Sequence, residues 1–179
     1  MGDKWVKRIC IDAMMGALYI VFALFRIRIG GFLEIGLGTL VITFVAFTYS
    51  TTDAVLVALI GETINQVFVS PYGASPTTPL WVAPVIIRGL LIGIASYMYK
   101  RKDDHITKHP VQCILWLMAI AVIISGLDTG LLYLDGIIMH YPVSYTAVQT
   151  IARFGSSQLT AIVVGLLSIP LYKAVSKIM

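Results

Sequence analysis

A chain of 179 residues is long enough for one domain. Its composition, 58% hydrophobic against 12% charged with a mean hydropathy of +0.89, excludes an ordinary soluble domain, which carries about 25% charged residues. The formal charge of +4 does not signal nucleic acid, because the basic residues flank hydrophobic runs and build no polar face; they indicate a membrane surface.

Taken in chain order, the hydrophobic periodicity predicts six transmembrane helices at roughly 9–25, 35–50, 54–69, 80–99, 111–134 and 146–172. The expected fold is therefore a single all-α membrane domain over residues 1–179. The first run lacks a small-residue cleavage site and reads as a span, not a cleaved signal. Its small residues Ala13, Gly16 and Ala17 fall at i, i+3 and i+4, an AxxxA face on which another helix can pack closely, within this chain or from a partner. The second and third runs are short, which suggests tilt or helices ending below the membrane surface. Asp53, after Ser50-Thr51-Thr52, is the expected N-cap of the third. Pro79 and Pro84 bracket the start of the fourth, and Pro110 precedes the fifth.

Six spans put Lys4, Lys7, Arg8, Lys100, Arg101, Lys102, Lys108, Lys173 and Lys177 on one side, opposite only Arg26 and Arg28. That asymmetry places both termini in the cytoplasm. No internal repeat is visible, which weighs against an inverted-repeat carrier.

Ionisable groups within a membrane are costly and need a reason. Here they are Glu62, Arg88, Asp128 and Arg153, accompanied by Asn65, Gln66, Gln149 and Gln158. At about 1.5 Å per residue, all four charges lie roughly 10–13 Å below the outer ends of four different helices. The inner halves of those helices are almost wholly apolar. Such a layer is either a solute-binding site or an ion-pair network holding the bundle together, and one arginine can serve each purpose. The segment Ser70–Pro84, SPYGASPTTPLWVAP, is uncharged and proline-stiffened. It reads as a lid carrying Tyr72 and Trp81, or as an interfacial loop whose aromatics sit in the membrane belt.

Nothing argues for catalysis. The chain has no G-x-x-x-x-G-K-[ST] phosphate loop, no H-E-x-x-H and no G-x-S-x-G. His105 and His109 stand beside Asp103 and Asp104 in a charged loop, which reads as solvated surface and not a metal site. Cys10 and Cys113 imply no disulfide framework. No cofactor and no metal is expected.

Over nearly its whole length the sequence resembles the substrate-binding S components of energy-coupling factor (ECF) vitamin transporters. The resemblance rests on Ala13-x-x-x-Ala17, on Gly61-Glu62-x-x-Asn65-Gln66, on Pro76-Thr77-Thr78-Pro79-Leu80-Trp81 with Pro84, and on Arg88-Gly89-Leu90. It is closest to the pantothenate branch and unlike the hydroxymethylpyrimidine branch. The resemblance implies a multi-pass protein of the bacterial plasma membrane that binds a vitamin from outside under lid loops. It implies docking through the first helix, by Ala13, Gly16 and Ala17, onto a transmembrane coupling subunit (the T component) driven by two ATPases. Arg88 is then the expected partner of a vitamin carboxylate, since a guanidinium grips one bidentately. Glu62, Asn65, Gln66, Trp81, Asp128, Arg153 and Tyr72 complete the expected substrate site. Asp128 disfavours an anion unless Arg153 neutralises it, and a hydroxylated pyridine or pyrimidine suits two acids better; pyridoxine, hydroxymethylpyrimidine and folate stand as the alternative cargoes. An autonomous small-solute carrier is the alternative outside the family.

Overall fold

The computed structural model describes residues 2–29, 33–69, 76–101, 105–140 and 142–177; for 2–4, 26–29 and 33–34 it describes the backbone alone. The chain runs α1 (Gly2–Leu24), β1 (Arg26–Ile29), β2 (Leu33–Gly36), α2 (Gly38–Thr48), α3 (Thr51–Ile64), α4 (Thr78–Lys100), α5 (Pro110–Met139) and α6 (Val143–Val175). A π-helical turn, Asn65–Val69, extends α3, and a 3-10 turn, Ile106–Lys108, precedes α5.

Four of these helical stretches are long and apolar enough to cross a membrane: Thr51–Val69, Thr78–Lys100, Pro110–Met139 and Val143–Val175. Their outward faces are hydrocarbon. Ile60, Ile94, Ile123, Ile151 and Leu166 are all exposed, as lipid-facing residues must be. α1 has 23 residues, and Arg8 and Asp12 lie in its first half.

The second predicted span is corrected. Its helix, α2, has only 11 residues and rises roughly 16 Å, about half the hydrocarbon thickness. Residues from Leu40 to Phe47 are buried without a break. α2 is therefore apolar all round because it is enclosed by α1, α3, α4 and α6. The start of that predicted span is instead β2, which pairs antiparallel with β1 in the register Ile27↔Ile35 and Arg28↔Glu34.

The cap of α3 is also corrected. Ser50, not Asp53, is the N-cap: its Oγ accepts from the Asp53 backbone N–H at 3.3 Å and donates to Asp53 Oδ2 at 2.7 Å. Asp53 occupies the third helical position and binds Arg8 Nε at 2.6 Å, tying α1 to the α2–α3 turn. Pro79 lies in the first turn of α4, where its missing N–H costs nothing, whereas Pro84 falls inside the helix.

At the same end as the Arg8–Asp53 pair, Lys100 Nζ donates to the Tyr49 carbonyl at 3.2 Å, and the His105 ring stacks on Tyr172 at 4.1 Å. The beginning of α1 and the end of α6 thus share one end of the bundle. One hydrophobic cluster, including Val45, Phe47, Val57, Ile92, Cys113, Ile124 and Val164, runs through α1 to α6. α3 and α4 approach closely because Gly93 faces Thr51: a Cβ there would lie 2.5 Å from Thr51 Cγ2.

Candidate functional site

Toward the opposite end, the polar residues gather around α3. Glu62 is 5% exposed and its carboxylate accepts three hydrogen bonds. Gln66 Nε2 donates to Oε1 at 2.6 Å; Asn65 Nδ2 at 3.1 Å and the Tyr19 hydroxyl at 2.5 Å donate to Oε2. Spacings of three and four residues put Asn65 and Gln66 within reach of Glu62 along one helix. Tyr19 arrives from α1. Its ring passes between two glycines, for a Cβ on Gly61 would lie 2.5 Å from Tyr19 Cδ1 and one on Gly38 2.9 Å from Cε2.

The arginines bind elsewhere. Arg88 Nη1 donates to Thr39 Oγ1 on α2 at 3.0 Å. Arg153 on α6 lies 4.4 Å over the centroid of the Trp81 ring on α4, a cation–π contact. Asp128 on α5 is within electrostatic range of Arg88, Arg153 and Glu62. Asp128 thus feels charges carried by α3, α4 and α6. They are not joined as the ion-pair network considered from the sequence. Among the described residues the one ion pair within 4 Å is Arg8–Asp53, at the other end.

Arg88 and Thr39 line a cavity of about 20 Å³, room for one water, closed by Leu117, Ala121, Ser157 and Thr160. Two further polar groups, Asn65 Oδ1 on the turn after α3 and Gln158 Nε2 beside Ser157, are buried with no hydrogen bond. Tyr72 lies outside the described residues, as does most of the expected lid. Among the described residues no group of three or more histidine, cysteine or acidic side chains could hold a metal ion. His105 instead caps the 3-10 turn, its Nδ1 accepting from the Thr107 backbone N–H at 3.4 Å.

The small-residue face of α1 divides. Ala13 and Ala17 are exposed, whereas Gly16 is buried, with Ile60 Cγ2 4.0 Å from where its Cβ would be. The residue the sequence reading missed is Tyr19. A tyrosine in an apolar run reads as core or belt, but Gly38 and Gly61, far apart in sequence, are the notches it needs.

A helical bundle with hydrocarbon outward faces and buried polar side chains is the architecture of a membrane protein. Comparisons with known proteins agree: residues 4–177 match the family described as "ECF-type riboflavin transporter, S component". The chain belongs to this family of ECF-type S components, which are transporter subunits and not enzymes. Among solved structures, the S component for biotin from an ECF-type ABC transporter has a TM-score of 0.67 at 17% identity, covering 97% of this chain and 94% of that one. The S component of a bacterial ECF transporter gives 0.62 at 17%, covering 97% and 98%. ThiT from Listeria monocytogenes gives 0.67 at 16%, covering 98% of each. No curated protein matches.

Proposed function

We propose that this chain captures a water-soluble vitamin from outside the cell and delivers it inward through a coupling subunit powered by two ATPases. In this reading it lies in the bacterial plasma membrane with both termini cytoplasmic. α1 and the four long apolar stretches span the bilayer, and α2 is a half-length helix packed inside. The observation that carries the reading is the layer itself. Four ionisable side chains stand in an apolar bundle and none forms an ion pair with another; hydrogen bonds and a cation–π contact offset part of their cost, and a polar solute would offset the rest.

The proposed cargo is pantothenate, with Arg88 taking the carboxylate. One guanidinium nitrogen is fixed on Thr39 and the remaining N–H groups are available. Asn65, Gln66, Trp81, Asp128 and Arg153 form the rest of the site, and Glu62 acts through Asn65 and Gln66. A second reading, a riboflavin-type cargo, is favoured by the family description and by charge balance. Two arginines offset two acids, so a neutral ring system leaves the layer neutral. Thermal stabilisation of the purified protein by pantothenate, riboflavin, pyridoxine, folate and hydroxymethylpyrimidine tests both. Stabilisation by pantothenate supports the first and by riboflavin the second; no stabilisation by any of them overturns the vitamin reading.

A further inference from the structure

The polar layer contains one acceptor that the protein leaves unsatisfied. Asn65 is 4% exposed, its Nδ2 is held by Glu62, and its Oδ1 is buried without a partner. Buried carbonyl oxygens are almost always paired, so this one calls for a donor. The amide cannot satisfy itself by flipping. Glu62 already accepts from three donors, and turning Asn65 Oδ1 toward it would set two acceptors against each other. Tyr19 offers no escape, because its hydroxyl already donates to the same Oε2. Gln66 obeys the same logic, its Nε2 held at Glu62 Oε1.

We infer that Tyr19 and Glu62 are positioning residues that lock the neighbouring amides with their carbonyl oxygens turned away from Glu62, so that Asn65 Oδ1 accepts a hydrogen bond from the cargo. The cargo then carries an N–H or O–H donor at this point. Arg88 on α4 supplies only donors, so the cargo presents an acceptor or anion there. The site thus reads polarity in two senses, and a solute with acceptors alone is rejected. A site built to bond one hydrogen discriminates strongly against an analogue lacking it, because the buried acceptor is left unpaired. This inference rests on the vitamin-binding reading above.

The test measures dissociation constants of the purified protein for riboflavin, pantothenate and pyridoxine, and for each vitamin methylated in turn at every N–H and O–H. For the vitamin that binds, methylation of one donor is expected to weaken binding about a hundredfold. Glu62→Gln places an amide beside Asn65 that can donate as well as accept, which frees the flip. Its discrimination should fall to within about threefold. Asn65→Leu, which removes the acceptor, should also lose discrimination. Tight binding of every methylated analogue by the unaltered protein overturns the inference while leaving the vitamin reading intact. Retention of the full discrimination in Glu62→Gln does the same. Binding of no vitamin at all overturns the underlying reading itself.

Discussion

Arg88 and Tyr19 show how single side chains divide the work of the polar layer. Arg88 is anchored through one nitrogen and faces a small cavity, and the proposed reading assigns it to the solute. Arg88→Ala is expected to abolish stabilisation by the vitamin, a loss of about 1.5–3 kcal/mol or more of charge-assisted bonding, with the unliganded melting temperature little changed. Titration of the purified variant checks this. Retained affinity would remove Arg88 from the site and favour a purely structural role for the layer. Tyr19 works by being held. Gly61→Ala would push a methyl to 2.5 Å from the Tyr19 ring and should destabilise the protein by about 1–3 kcal/mol. Gly126→Ala, on a residue with no neighbouring atom within 4 Å, is the control and should be neutral or slightly stabilising. Equal melting temperatures for the two variants would contradict the packing described.

At the scale of whole elements, α1 offers two faces with different fates. Gly16 is turned inward, while Ala13 and Ala17 are open. Ala13→Leu with Ala17→Leu should leave vitamin affinity unchanged yet prevent co-purification with the coupling subunit and stop uptake. An assembled, active transporter carrying both leucines would remove this face from the partner interface.

The helices also show what a sequence discloses. α4 to α6 were legible because each carries a long apolar run bounded by Pro or Lys, and α3 because its apolar residues follow the Ser50 cap; the bilayer makes that pattern nearly obligatory. The charge layer was legible because rise per residue converts sequence position into depth. The hairpin was missed although Arg26-Ile27-Arg28-Ile29 alternates with period two; the expectation of helices alone made it an inter-helix loop. α2 was overextended because an enclosed half-helix and a spanning one have the same composition. The Tyr19–Glu62 bond was beyond reach because it joins residues 43 apart through two glycine notches.

Across the whole molecule, one apolar cluster runs the length of the bundle, and Glu62, Arg88, Asp128 and Arg153 lie away from the end that holds the termini. Val45, Phe47, Val57 and Ile124 belong to that cluster, and Ile92 lines the Arg88 cavity. A protein that passes solute through a continuous path needs polar lining along its full length, and among the described residues the interior toward the termini is mainly apolar, with Thr43, Asp53, Ser96 and Ser168 as its scattered polar members. Uptake of vitamin into liposomes is therefore expected only when the coupling subunit, both ATPases and ATP are present. Uptake by the isolated chain would establish an autonomous carrier instead.

The tight packing of Val45, Phe47, Val57 and Ile124 has an electrical meaning. Buried hydrocarbon of this kind opposes the passage of ions, so idle copies are expected to leave a proton gradient intact. Liposomes containing the chain alone should keep an imposed pH difference as long as protein-free ones.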